Sequence, residues 1–225
     1  VVAKGDKVKV GTLIAEAGGF VSAPIYSSVS GTVTRIDSVV DATGYRHPAI
    51  IIKVEGDEWE ETIDRSAALE TLDKHPELTA EEIVARVKWG GITGMGGAGF
   101  PCHVKLCPPP TAKAECVILN GVECEPYITS DYRLMLEHAD EILVGLDLLM
   151  RAAHVERGYI GVEENKPDAI RLLQEKTANR QDIEIVPLKM KYPQGGEKQL
   201  VDAVIDRQVP APPAIPVSVG AIVQN

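Results

Sequence analysis

The sequence predicts an α/β fold in which a small all-β domain precedes a Rossmann-like α/β domain. Residues 1–56 contain short alternating apolar runs, such as 32–36 and 50–54, separated by turns rich in glycine. Such runs are typical of β-strands. From about residue 115, short apolar runs typical of strands alternate with segments of helical periodicity. This alternation predicts a largely parallel sheet. Sheets of this kind bind ligands near the carboxyl ends of their strands.

Residues 57–89 are predicted to be a charged, helical connection between the two domains, and residues 90–225 are predicted to form the α/β domain. Within the connection, Thr79-Ala80-Glu81-Glu82 is a capping box that indicates the start of a helix. Gly90-Gly91 is expected to end that helix and to lead the chain into a glycine-rich loop.

The α/β domain is predicted to contain at least three strands and three helices. The strands are expected at 116–119, 159–162 and 183–186. The helices are expected over 131–153, from near Asn165-Lys166-Pro167 onward, and over 197–206.

The composition excludes several classes of function. The chain has 225 residues, a net charge of −10 and only 4% aromatic residues, which argues against a nucleic-acid partner. Its longest apolar runs fall short of the roughly 18 residues that a membrane helix needs. Because the chain opens in what resembles the middle of a strand, we expect it to be part of a longer protein.

The cysteines and histidines do not show the spacing of a metal site. The cysteines, at positions 102, 107, 116 and 124, match neither the ferredoxin run nor a zinc knuckle. The histidines are scattered along the chain. We therefore predict reduced, mostly structural thiols and no protein-bound metal.

The most distinctive stretch is a loop with six glycines in residues 90–99, closed by Phe100-Pro101 and followed by Lys105. Glycines let main-chain N–H groups approach a phosphate closely, and a lysine adds positive charge. An ordinary flexible loop is the alternative interpretation. The pattern differs from both the Rossmann fingerprint and the P-loop. The candidate cradle residues are Gly94, Gly96, Gly97, Ala98 and Gly99.

This loop resembles the flavin-binding loop of the NADH-oxidising subunit of respiratory complex I. It is still more similar to the loop of the C subunit of the Rnf electron-transport complex, from which only Cys102 departs within Phe100–Leu106, standing where that family has threonine. The resemblance implies that main-chain amides at 94–99 and Lys105 hold the phosphate of FMN. It also implies that Phe100 packs near the incoming NAD(H).

A second motif, Asn120-Gly121-Val122-Glu123-Cys124-Glu125-Pro126, follows the first predicted strand of the α/β domain. Taken alone, it is equally consistent with a solvated acidic turn. Both families named above carry a similar motif at this point. The resemblance implies that Asn120 and Glu123 contact the flavin, and that Glu125 binds the nicotinamide nucleotide.

A third motif, Gly195-Gly196-Glu197, opens the last predicted helix, whose N-terminal amides suit a ring carbonyl or a phosphate. A helix start that is merely stabilised by Glu197 is the simpler interpretation. The resemblance implies that Gly196 and Glu197 line the flavin and nucleotide site, and that Asn225 approaches the flavin. The turn 161–166 also resembles a turn of the family and ranks behind these motifs.

The N-terminal segments 4–11 and 27–33 resemble the sequence of the barrel-sandwich hybrid found in biotinyl and lipoyl domains. Carrier domains of that kind present a lysine on a hairpin tip, but none occurs between Lys9 and Lys53. We therefore expect a hybrid domain without a carrier lysine, as precedes the flavin domain in Rnf C subunits.

The resemblance implies an NADH-binding FMN subunit of a membrane-associated, ion-translocating NAD:ferredoxin oxidoreductase. Hydride would pass between NADH and FMN, and electrons would continue to 4Fe-4S clusters outside this chain. The implied partners are the other Rnf subunits at the membrane, including iron–sulfur and flavin subunits, and indirectly ferredoxin. The implied location is peripheral, at the cytoplasmic face. The alternatives are a cobalamin reductase of a microcompartment and a non-catalytic scaffold like the A subunit of the sodium-pumping quinone reductase.

Overall fold

The structure, a computed structural model, describes residues 1–66, 68–95 and 99–225. These residues form two compact units. One comprises Val1–Ala68 and Lys88–Ile92, and the other comprises Leu69–Val87 and Thr93–Asn225. The segment 57–89 is therefore divided between the two units.

The first unit is built of short β-strands. They are β1 (Lys7–Val8), β2 (Leu13–Ala15), β3 (Ile25–Tyr26), β4 (Gly31–Val40) and β5 (Arg46–Val54). Strand β4 lies between β1 and β5 in an antiparallel sheet, while β2 and β3 form a separate antiparallel pair. Val8 of β1 and Val33 of β4 are buried. The predicted all-β character of this region is confirmed.

The second unit alternates helices and strands, which confirms the predicted α/β class. The division between the units falls inside its first helix. The helices are α1 (Ala80–Trp89), α2 (Cys102–Lys105), α3 (Ser130–Glu137), α4 (Ala139–Ala152), α5 (Pro167–Lys176) and α6 (Glu197–Ile205). The strands are β6 (Cys116–Gly121), β7 (Gly158–Glu163), β8 (Ile183–Leu188) and β9 (Ala221–Gln224).

The four strands of this unit form one parallel sheet in the order β8-β7-β6-β9. Successive residues of a strand face opposite sides, so the sheet has a core on each face. Val117 packs with Leu146 of α4 on one face. Ile118 packs with Leu200 of α6 on the other.

Helix α1 begins as its capping box predicts. Thr79 Oγ1 accepts a hydrogen bond from the Glu82 amide at 3.2 Å, and the Glu82 carboxylate accepts one from the Thr79 amide at 2.9 Å. The second bond lowers the pKa of Glu82 below its usual value. These reciprocal bonds satisfy amides that would otherwise have no partner within the helix.

Three details of the prediction are wrong. The single helix predicted over 131–153 is two helices, α3 and α4, because His138 has a non-helical backbone between them. The first strand of the α/β domain extends to Gly121, so Asn120 lies within it rather than after it. Strand β9 was not predicted as a strand.

Across the ranges that the structure describes, none of the helices combines the length and the apolar character needed to cross a bilayer.

Candidate functional site

The topology of the parallel sheet predicts a ligand crevice at the carboxyl ends of β6 and β9. From β6 the chain continues to its neighbour β7 and then to β8 beyond it, before it crosses to β9 on the other side of β6. Ligands of open α/β sheets bind where the strand order reverses in this way. Asn120, near the end of β6, and Asn225, directly after β9, are therefore at the position expected for a ligand site.

Asn120 joins three segments at this edge. Its amide nitrogen donates to the Gly195 carbonyl at 2.9 Å, and its side-chain oxygen accepts from the Val122 amide at 3.3 Å. The amide nitrogen of Asn225 donates to the Asn120 main-chain carbonyl at 3.1 Å and to Asp131 at 2.8 Å. The two asparagines thus hold together the ends of β6 and β9, the start of α3 and the turn before α6.

The N-terminus of α6 faces the same edge of the sheet. Gly196 is the residue before the helix, and its amide donates to the Pro193 carbonyl at 3.0 Å. Glu197 is the first helical residue. The first-turn amides of a helix have no intrahelical acceptor, and they lie at the positive end of its dipole. This end of α6 can therefore stabilise an anion.

Lys105, the last residue of α2, contacts both the start of α6 and strand β9. Its ammonium is ion-paired with Glu197 and donates a hydrogen bond to the Val223 carbonyl of β9 at 2.9 Å. The Lys105 side chain is 25% exposed and that of Glu197 is 43% exposed. The structure thus brings together two predicted site residues that are far apart in the sequence.

The base of the glycine-rich loop is closed by main-chain hydrogen bonds. The Gly94 amide donates to Phe100 O at 2.9 Å, and the Gly99 amide donates to Gly94 O at 3.2 Å. Gly99 has a φ of 65°, a left-handed conformation that glycine adopts without strain. Phe100 remains partly exposed beside this closure. The predicted cradle residues Gly96, Gly97 and Ala98 lie outside the described residues.

Cys102, the residue that departs from the family pattern, is buried at the start of α2. Burial raises the pKa of its thiol, and the charge of Lys105 opposes that shift only in part. The thiol is therefore protonated at neutral pH and acts as a small apolar side chain.

Glu123 is almost completely buried, and its carboxylate is used internally. The two oxygens accept hydrogen bonds from the amides of Asp131 at 2.7 Å and Tyr132 at 3.2 Å, at the start of α3. The Lys166 ammonium lies 3.8 Å from Glu123 Oε2 and 3.0 Å from Glu163 Oε2. The flavin contact predicted for Glu123 stays a prediction, but its observed contacts show that it anchors α3.

Glu125 lines an open cleft of about 580 Å³ beside β6 and β7, and Glu123 lines the same cleft. Glu163 and Lys166 form part of the same lining. Within the described part of the chain, Glu163 Oε1 is buried without a hydrogen-bond partner. The resemblance to the family places the turn 161–166 behind the three main motifs and predicts no ligand contact for its residues. Asp131 was also missed, because its contact with Asn225 joins segments that are distant in the chain.

Two buried amides next to the crevice provide a test of whether a flavin fits there. Gln194 Oε1 and Gln224 Nε2 are buried and have no hydrogen-bond partner among the residues that the structure describes. They directly precede Gly195 in the turn before α6 and Asn225 after β9. A buried polar atom without a partner is costly, so such atoms indicate a missing ligand or water. An acceptor and a donor suit the mixed polar edge of a flavin ring, and Lys105 suits its phosphate.

Comparison with known proteins identifies the family. Residues 87–225 match the family model described as the Nuo51 FMN-binding domain, and residues 1–57 match that of the RnfC barrel sandwich hybrid domain. The C subunit of the proton-translocating ferredoxin:NAD(+) oxidoreductase complex of Clostridium ljungdahlii is 45% identical over 232 residues, which cover 100% of this chain and 48% of that protein. The chain belongs to this family of C subunits. The predicted resemblance is confirmed.

Other relatives agree with this assignment. The C subunit of the Na(+)-translocating ferredoxin:NAD(+) oxidoreductase complex of Acetobacterium woodii is 43% identical, over 100% of this chain and 49% of that protein. The chain thus spans about half the length of these two relatives. A crystal structure of the NAD+-reducing [NiFe]-hydrogenase in the H2-reduced state matches 73% of this chain and 31% of that one, with a TM-score of 0.57 and 22% identity. This likeness supports the fold.

Proposed function

We propose that this chain forms the FMN- and NAD(H)-binding part of an NADH-binding subunit in an ion-translocating NAD:ferredoxin oxidoreductase. The observation that carries the proposal is the meeting of Lys105, Asn120 and Glu197 at the strand-order reversal of the sheet. The match of residues 87–225 to an FMN-binding family model supports the same assignment.

In this proposal, the flavin phosphate lies against Lys105 and the main-chain amides of 94–99. Lys105 is held by Val223 O at the edge of β9, so its charge is directed to the crevice between α2 and α6. Gly94 and Gly99 close the base of the loop and fix the path of the chain on either side of its tip. Gly96, Gly97 and Ala98 are proposed cradle residues on the basis of the sequence motif.

The remaining site residues orient the two ligands. When bound, FMN supplies a centre that exchanges hydride with NAD(H) and passes electrons on singly. Asn120, Gly196 and Asn225 line the ring, and the buried amides of Gln194 and Gln224 supply further hydrogen bonds to its edge. Phe100, Glu125 and Glu197 are the proposed contacts of the nicotinamide nucleotide.

For the complete protein, we infer the wider role from its C-subunit relatives. Electrons would continue to 4Fe-4S clusters outside this chain and then, through the other members of the complex, to ferredoxin. We propose a peripheral position at the cytoplasmic face of the membrane.

An absorbance spectrum of the purified full-length protein tests the proposal. We expect one non-covalent FMN per chain, released on denaturation, whose absorbance is bleached by NADH without oxygen. A colourless full-length protein that does not bind added FMN would favour a scaffold role instead.

Two variants test the phosphate position. Lys105→Glu and Gly97→Val should each abolish FMN retention, because the first reverses the charge and the second adds a side chain to the proposed cradle. Lys189→Glu, an equal charge change at an exposed lysine, is the control. Unchanged FMN content in both test variants would refute the phosphate assignment.

A further inference from the structure

The contact between Lys105 and Glu197 has a consequence for ligand binding that sequence motifs do not show. The Lys105 ammonium donates to two protein acceptors, the Glu197 carboxylate and the Val223 carbonyl. The carbonyl is neutral, whereas the carboxylate cancels the lysine charge. A phosphate that approaches Lys105 therefore meets a cation already paired with an anion.

Glu197 also lies at the second source of positive potential in the site, the N-terminus of α6. It is the first residue of α6, directly after Gly196, where a negative charge is stabilised by the helix dipole. A phosphate in this crevice and the Glu197 carboxylate therefore draw on the same two sources of positive potential. Two anions next to one lysine repel each other, so both cannot use it fully.

The exposure of the two side chains allows Glu197 to leave this contact. The Glu197 side chain is 43% exposed, and it sits at a helix end rather than in the core. Ion pairs at this level of exposure are weak because water screens them. The bond from Lys105 to Val223 O does not involve Glu197, so it can hold the ammonium in place without the carboxylate.

We propose that Glu197 and the flavin phosphate compete for Lys105, so that Lys105 exchanges the carboxylate for the phosphate when FMN binds. This inference rests on the proposed function and extends it. The exchange leaves Glu197 free to turn toward the nicotinamide nucleotide, for which it is a proposed contact. Loading of the flavin thereby prepares the nucleotide site, and the two ligands bind in a defined order.

Comparing the binding of FMN and riboflavin distinguishes competition with the phosphate from other roles of Glu197. FMN and riboflavin share the ring and the ribityl chain, but only FMN carries the phosphate. Glu197→Gln keeps the shape of the side chain and removes its charge. We expect this variant to bind FMN about fivefold more tightly, the size expected for a partly exposed charge contact, and to bind riboflavin with unchanged affinity.

The experiment is equilibrium dialysis of each flavin against flavin-depleted full-length protein, with free flavin measured by fluorescence. Glu175→Gln, at an exposed position on α5, controls for the change in net charge. In a Lys105→Met background, the Glu197→Gln change should distinguish FMN from riboflavin less than it does with Lys105 present, because only the N-terminus of α6 is then shared. If Glu197→Gln does not fold, Glu197→Ala tests the same direction.

The inference is overturned if Glu197→Gln leaves the affinity for FMN unchanged, weakens it, or tightens FMN and riboflavin equally. These results differ from failure of the proposed function, in which the wild-type protein binds neither flavin.

Discussion

The buried carboxylate of Glu123 gives the sharpest test of how the site is held in place. The substitution Glu123→Ala removes the acceptor for the amides of Asp131 and Tyr132, which are bonded at 2.7 and 3.2 Å. It also removes one of the two carboxylates near Lys166, while Glu163 remains at 3.0 Å from that ammonium. The lysine therefore keeps a partner, and the main loss is at the start of α3.

The magnitude follows from these contacts. A hydrogen bond to a charged group contributes about 1.5 kcal/mol or more, so the two bonds together amount to about 3 kcal/mol. Breaking a buried ion pair completely costs roughly 3–5 kcal/mol, but Lys166 is only partly deprived of its partners here. We therefore expect Glu123→Ala to lower the free energy of unfolding by about 3 kcal/mol.

The assay is urea unfolding followed by circular dichroism. Glu137→Ala is the control, since Glu137 lies on α3, the helix that Glu123 anchors, and forms an exposed ion pair with Arg133. That pair should contribute only about 0.5 kcal/mol or less. Equal unfolding midpoints for the two variants would refute the anchoring role assigned to Glu123.

Two further predictions concern the sheet and the break between α3 and α4. A Cβ added at Gly121 would lie 2.9 Å from the Gly161 carbonyl of the neighbouring strand, so Gly121→Ala should be destabilising by about 1–3 kcal/mol, measured as a lower urea midpoint. The hydrogen bond to Glu141 raises the pKa of His138 above 6.5, so this contact stabilises the fold below that pH and is lost as pH rises through the raised value. Glu141→Gln should therefore lower the melting temperature more at pH 5.5 than at pH 8.5, and an equal decrease would contradict the assignment.

Local patterns predicted the parts of the fold that depend on local forces. The capping box at Thr79 and Glu82 forms as expected because both partners lie within one helical turn. The break at His138 was not predictable, because no glycine or proline interrupts the periodicity there. Strand β9 was missed because four residues carry little pattern, and its pairing partner β6 lies about a hundred residues earlier.

In the candidate site, too, the sequence motifs predict which residues take part but not the contacts between distant segments. The motifs located Lys105, Asn120 and Glu197, and their meeting at one edge follows from the parallel sheet. The direct ion pair between Lys105 and Glu197 depends on the packing of α2 against β9 and could not be read from the sequence. The anchoring of α3 by Glu123 could not be read from the sequence either, since it depends on how the chain turns between β6 and α3.

The most direct test of the central claim is an experimental structure of the full-length protein with FMN bound. We predict that the phosphate lies within hydrogen-bond distance, about 3 Å, of Lys105 Nζ at the carboxyl ends of β6 and β9. A flavin located elsewhere, for example in the cleft lined by Glu163 and Lys166, would contradict the account.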